Sequence, residues 1–234
     1  MAALLEVQKS YYEARAAEYD EWGERRGRYD LGAEGNALWQ EEVRKAVAIF
    51  DIAPLRGHIL EPAVGSGNWT RYLARRAEKV TVLENSRSMI EANRRRVQEA
   101  GLQGRVEYEQ TDLLCWHPGN RRYDAIFLGF WISHLPSPVL DPFLLLMASA
   151  LKPGGCLATL EGQRNGRLRT EAQGTYRLDD EIELRTLNDG RTFRVVKRYD
   201  DPEDLAERLE RAGLEAQVSA SGEQFLCALA FSPS

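Results

Sequence analysis

Three carboxylates close three successive apolar or β-branched runs of this chain. Glu61 follows His58-Ile59-Leu60, Glu84 ends the run 79–84, and Asp112 ends the run 105–112. Directly after the first acid comes Ala63-Val64-Gly65-Ser66-Gly67. Glycines in a turn of this kind let the backbone reverse sharply and approach a ligand closely. A carboxylate at Glu84, 17 residues beyond Gly67, can accept both hydroxyls of an adenosine ribose. Bonds of that kind to a charged group are worth about 1.5–3 kcal/mol each. Asp112 can accept from an adenine amino group. Each acid alone reads equally well as an ordinary strand-end or turn residue. Three of them at successive strand ends, beside one glycine turn, read together as a site. Glycine-rich strand–helix turns also bind NAD, FAD and phosphates. Here Thr70 stands where the third glycine of G-x-G-x-x-G belongs, which counts against a dinucleotide.

Strands must end where these acids stand, and the hydrophobic pattern supplies them. From His58 onward, short β-rich runs (58–63, 79–84, 105–112, 123–130, 156–161) alternate with helical segments at 69–77, 86–100 and 139–151. Ser86 is placed to cap the second of these helices and Gly101 to close it. Residues 152–155, Lys-Pro-Gly-Gly, read as a turn. Strands separated by such helices predict a parallel sheet with right-handed crossovers. Ligands of such sheets sit outside the carboxyl ends of the strands. Upstream, the spacing predicts helices over 3–20 and 36–51. Downstream, Asn188-Asp189-Gly190 between two β-rich runs predicts a hairpin. It belongs to an antiparallel insert at 164–198, able to serve as a lid or a dimer contact. A helix at 202–213, with Asp201 in capping position, and strands at 215–219 and 224–231 complete the chain.

Composition narrows the partners. The 234 residues carry 31 basic and 36 acidic side chains, a net charge of −5, with no dense basic stripe of the kind nucleic-acid binders show. Arg25/Arg26/Arg28 and Arg94/Arg95/Arg96 read as solvated helix faces. Three scattered cysteines (Cys115, Cys156, Cys227) lack the spacing of a zinc site and suit a reducing compartment. The most apolar stretch, 139–151, contains Asp141 and is far short of the roughly 20 residues a membrane span needs. The expectation is a soluble, cytoplasmic protein of one domain, monomer or homodimer, without metal.

The ordered set Leu60-Glu61-Pro62-Ala63-Val64-Gly65-Ser66-Gly67, the run 80–84 ending in Glu84, Gln110-Thr111-Asp112, the strand 123–130 and the segment 150–155 resembles the class I S-adenosylmethionine-dependent methyltransferases. The opening residues 11–22 are similar to the N-terminal helix of small-molecule members, and the stretch 129–136 to the quinone-biosynthesis-like group. One departure is Ala63, where the family usually has its first glycine. The resemblance implies a Rossmann-like α/β fold with a seven-stranded, mostly parallel sheet whose strand 7 is antiparallel. Residues 1–52 would form a helical cover, 58–161 the cofactor-binding core and 201–234 the last helix and strands. It implies S-adenosylmethionine as cofactor. Glu61, Ala63, Gly65 and Gly67 would lie beside its methionine part, and Glu84 would hold the ribose with Asn85 and Met89 flanking the adenosine. Asp112 and Leu113 would meet the adenine, Gly129 and Phe130 would run toward the methyl, and Tyr11 and Tyr19 would close over the carboxylate end.

The acceptor enters after the fourth strand in this family. Residues 129–136 are not the N-P-P-Y-type motif of enzymes that methylate base amines or glutamine amides, so a small metabolite is expected, methylated at oxygen, nitrogen or, less readily, carbon. His134, with an ordinary pKa near neutral, is the candidate base. Glu161, at the end of the fifth strand, and Arg164 are candidate acceptor contacts, and Tyr12, Trp22, Trp39 and Trp131 candidate walls. Two other functions fit parts of the pattern: a nicotinamide-dependent oxidoreductase, and a non-catalytic methyltransferase-like binding protein.

Overall fold

The computed structural model describes residues 2–163, 175–179 and 181–234. Its central sheet contains β1 (His58–Pro62), β2 (Lys79–Glu84), β3 (Val106–Gln110), β4 (Tyr123–Gly129), β5 (Leu151–Gly162), β9 (Glu215–Ala220) and β10 (Phe225–Phe231). The order is β3-β2-β1-β4-β5-β10-β9. Neighbours from β3 through β5 are parallel, and β10 runs antiparallel to both β5 and β9. The expected seven-stranded sheet with one reversed strand is therefore present. The chain order reverses direction at β1, so the crevice at its carboxyl end is the topological switch point where ligands bind.

Alternation along each strand divides the core between the two sheet faces. Leu60, Leu83, Ile126, Leu128 and Leu157 pack with α6 (Ser137–Ser149) and α7 (Pro202–Arg211). Ile59, Val80, Val82, Ala125, Phe127 and Ala158 pack on the other face with α3 (Gly32–Asp51), α4 (Asn68–Ala74) and α5 (Arg87–Glu99). Ala125 to Leu128 are wholly buried, as a strand covered on both faces requires. Ser86 caps α5 as expected: its hydroxyl accepts from the Met89 amide at 3.1 Å.

Several boundaries differ from the sequence expectation. The first helix is split into α1 (Ala2–Arg15) and α2 (Tyr19–Glu24), and the break at 16–18 redirects the chain so that Tyr19 reaches the glycine turn. The next helix starts at Gly32 rather than residue 36, because Asp30 Oδ1 accepts from the Gly32 amide and from Asn36. The segment 152–155 is a bulge within β5, not a turn before it. Tyr123 pairs with Leu151, and Ala125 pairs with Cys156. Asp201 occupies the first cap of α7, but its side chain makes no capping hydrogen bond.

The insert forms a three-stranded antiparallel sheet of β6 (Thr175–Arg177), β7 (Ile182–Thr186) and β8 (Thr192–Val196), with the expected turn at Asn188-Asp189-Gly190. α1 lies against β8. Tyr11, Leu187 and Val195 form a small core of their own there. Gln8 bolts the contact, donating to the His134 carbonyl at 2.9 Å and accepting from the Val196 amide at 2.8 Å.

Candidate functional site

A cavity of about 970 Å³ opens at the carboxyl ends of β1, β2, β4 and β5, roofed by α1, α2 and the insert. That lies at the upper end of the roughly 300–1,000 Å³ typical of small-molecule pockets. Its floor is the turn after β1. The Ala63 amide still donates to the Leu83 carbonyl at 2.8 Å, and the backbone then turns left-handed at Ala63 (φ 55°), Gly65 (φ 54°) and Gly67 (φ 95°). A Cβ on Gly65 would lie 2.6 Å from the Tyr19 hydroxyl, so the absent side chain is what lets α2 close on the turn. Gly67 does not line the cavity. It stands at the N-terminus of α4 and packs on Asn93.

The three acids converge here. Glu61 is 2% exposed, and its Oε2 has no hydrogen-bond partner among the described residues. Burial pushes its carboxyl up to about 8, with Glu84 adding repulsion. Glu84 Oε1 accepts from the amides of Asn85 and Ser86, both at 2.9 Å, and burial pushes this carboxyl up to about 7. Asp112 Oδ1 accepts from the Leu114 amide at 3.0 Å, while Oδ2 meets Lys9 of α1 at 2.8 Å. Asn85, Met89 and Leu113 line the same end. Polar contacts hold the roof over it: Glu13 of α1 accepts from the hydroxyls of Ser86 and Ser88, and Asp20 of α2 pairs with Arg96 at 2.8 Å.

β4 feeds the middle of the cavity. Gly129 lies where a Cβ would stand 3.1 Å from Phe127 and 3.2 Å from Trp69. Phe130 follows with φ 56°, an unusual conformation for a bulky residue and of the kind that gathers at functional sites. Its ring meets Trp22 edge-to-face at 5.0 Å, and Trp22 meets Trp39 at 4.7 Å. Trp131 and Tyr12 complete the aromatic lining. Trp39 serves the core as well, donating its indole N–H to the Gly23 carbonyl.

His134 also lines the cavity, with Tyr12 edge-on at 5.5 Å. Its Nδ1 lies 2.6 Å from the Val196 carbonyl, which can only accept, so Nδ1 carries the proton and Nε2 the lone pair. Burial, reinforced by Lys197 and Arg185, holds its pKa well below the ordinary imidazole range. Glu161, expected as an acceptor contact, is not among the lining residues. It accepts from the Ile132 amide at 2.9 Å and from Ser133 Oγ at 2.5 Å, and Lys197 lies 3.7 Å away. It braces the turn that carries His134. Arg164 falls outside the described residues. Lys197 and Tyr199, lesser candidates for acceptor contact from the sequence, line the cavity, and so do Lys9 and Arg15 from α1 and Glu183 and Arg185 from the insert, which the sequence reading missed. Arg15 lies between Tyr11 and Tyr19 of the N-terminal stretch and could have been found from them; the insert residues lie on a segment whose placement no motif reveals. No cluster of His, Cys, Asp and Glu among the described residues could hold a metal ion, and no described helix is long and apolar enough to cross a membrane.

Comparison with known proteins agrees with this fold. A family profile described as a methyltransferase domain matches residues 59–155. The solved complex of DhpI with SAM and HEP is 34% identical, covers 97% of both chains and superposes with a TM-score of 0.78. DhpI with SAH is 32% identical over 100% of both chains, again at 0.78. The ubiquinone/menaquinone biosynthesis C-methyltransferase UbiE of Legionella pneumophila is 25% identical over 188 residues, spanning 76% of this chain and 73% of its own length.

Proposed function

We propose that this chain, which belongs to the class I S-adenosylmethionine-dependent methyltransferases, transfers a methyl group to an oxygen or nitrogen of a small metabolite bound under α1 and the insert. It is an enzyme, and S-adenosylmethionine supplies the methyl as an activated sulfonium. The observation that carries the acceptor half of the reading is the cavity itself, whose lining adds an aromatic middle and the insert's Arg185 and Lys197 to the three acids. The residues fit the cofactor. Glu61 is a buried carboxylate with an unanswered oxygen, the Gly65 turn has no room for a side chain, and Glu84 is the acid for the ribose. Asp112 and Leu113 take the adenine edge, with Asn85 and Met89 beside it. A net charge of −5 supports a small acceptor over a nucleic acid.

The chain's own work is positioning and exclusion of water. Holding the acceptor in line with the methyl converts a bimolecular encounter into a unimolecular step. Trp22, Phe130, Trp131 and Tyr12 keep that middle dry, which does not penalise a reaction that disperses the sulfonium charge. His134 stays neutral and offers Nε2 as acceptor for an O–H or N–H of the incoming nucleophile. Replacing His134 with Ala is expected to slow transfer at least 10-fold while leaving cofactor affinity within about 3-fold. With its pKa held low, His134 adds no inflection near 6.5 to the pH–rate profile between pH 6 and 9. An inflection there that vanishes in His134→Gln would mean the residue titrates as an ordinary base.

The decisive experiment is thermal. A ligand at about 100 times its Kd stabilises by roughly 2.7 kcal/mol, or about 5–10 °C for a domain of this size. S-adenosylhomocysteine is expected to produce that rise and NAD none; the reverse outcome ends this reading.

Cofactor binding is also expected to depend on pH. Glu61 and Glu84 hold protons in the free fold up to about 8 and about 7, above their ordinary 4.5. The stability these groups contribute is present below pH 4.5 and is lost as pH rises through 7 and 8. Ribose hydroxyls and a ligand cation favour the ionised carboxylates, so binding releases protons and tightens from pH 6 to 8. Titration calorimetry in HEPES and in Tris buffers should give enthalpies that differ with buffer ionisation. Identical enthalpies and a flat affinity would mean both acids are already ionised in the free protein.

A further inference from the structure

Where α1 meets the insert, the cavity wall carries Arg15, Arg185 and Lys197, with Glu183 among them. Arg15 is 8% exposed, and its Nε is buried without a hydrogen-bond partner. No carboxylate pairs with it among the described residues. Its guanidinium stands over the Tyr11 ring at 5.6 Å and the Tyr19 ring at 5.1 Å. Arg185 stands 6.0 Å from the centre of the same Tyr11 ring and pairs with Glu183 at 2.9 Å. Lys197 lies in the same wall, 5.3 Å from the Tyr199 ring and 3.7 Å from Glu161.

Two guanidiniums sharing one buried ring repel each other, and Glu183 pairs with Arg185. Desolvating an unpaired charge is costly, and contacts with aromatic faces, which are electrostatic but carry no full countercharge, offset it only in part. The missing partner is an anion that enters the cavity. The cofactor's own carboxylate is one source. It can answer Arg15, yet the cofactor carries a net positive charge and leaves the corner's surplus in place. An acidic acceptor removes that surplus and brings an electron-rich atom to the sulfonium.

We infer that Arg15 and Arg185, gathered on the Tyr11 ring, bind an oxyanion of the methyl acceptor, so that the acceptor is a small acid of carboxylate or phosphate type. This rests on the methyltransferase reading for the word acceptor, but the anion site can be tested without it. The free protein and the protein saturated with S-adenosylhomocysteine are each titrated with inorganic phosphate and with acetate at constant ionic strength, followed by thermal shift and calorimetry. At least one anion is expected to bind, and the stronger of the two identifies the acid type. Arg15→Gln and Arg185→Gln should each weaken it 10-fold or more, with S-adenosylhomocysteine affinity held within about 3-fold. Arg15→Lys should recover part of the anion affinity, which a folding defect would not. Absence of binding by both anions overturns the inference. So does an Arg15→Gln protein that binds the anion normally but loses 10-fold in S-adenosylhomocysteine affinity, since Arg15 would then hold the cofactor's carboxylate. Failure of the unmodified protein to bind S-adenosylhomocysteine counts against the methyltransferase reading alone, because phosphate and acetate still report on the free protein.

Discussion

Glu84→Ala is expected to lower affinity for S-adenosylhomocysteine by at least 100-fold. The carboxylate is fixed before the ligand arrives: Oε1 accepts from the amides of Asn85 and Ser86, so the group loses little freedom on binding. Two ribose hydroxyls donated to a charged acceptor are worth about 1.5–3 kcal/mol each, and 100-fold corresponds to about 2.7 kcal/mol. The folded state loses less. Burial already disfavours the ionised carboxyl, and its removal leaves two amides to find water. Glu84→Gln keeps the size and one acceptor and should fall between the two. Calorimetry on both variants checks this; unchanged affinity in Glu84→Ala would remove the residue from the ribose.

What was legible in the sequence follows from how local each signal is. A strand, its terminal acid and the turn after it are consecutive, so Glu61, Glu84 and Asp112 could be placed at one sheet edge from pattern alone, and the sheet order agrees. The hairpin at Asn188-Asp189-Gly190 is equally local. Glu161 shows the limit. It stands at the same edge, but the direction of its side chain depends on Ser133 and Lys197, 28 and 36 residues away. Arg185 was invisible for the same reason. Arg15 stands between Tyr11 and Tyr19, yet an arginine in a helix rich in charge reads as surface until the insert covers it. Ala63 is the opposite case, where a departure from the usual glycine carries structural information. Its φ of 55° shows that the position asks for glycine and holds alanine under strain.

That strain sets up a paired prediction in which two neighbouring small residues respond with opposite sign. Gly65→Ala places a side chain at φ 54°, which costs roughly 1–2 kcal/mol for an L-residue. Its Cβ also meets the Tyr19 hydroxyl at 2.6 Å and ring carbons at 2.7 and 2.8 Å. Tyr19 cannot swing away freely, because the next residue, Asp20, is tied to Arg96 and Ser66. Either α2 lifts from the turn or the turn flattens, and both open the end of the cavity where the sulfonium would sit. The expected result is a loss of about 2–4 kcal/mol, read as a Tm lower by about 4–16 °C, with S-adenosylhomocysteine affinity down at least 30-fold. Ala63→Gly removes a Cβ from the same left-handed region. It regains that 1–2 kcal/mol and gives back about 0.4–1 kcal/mol through the freer unfolded chain. Its Tm should be level with the parent or slightly above, and its affinity within about 3-fold. If both substitutions lower Tm alike, the left-handed turn is not what these positions are selected to make. The preformed floor of the site would then have to be traced to the contacts of α2 instead.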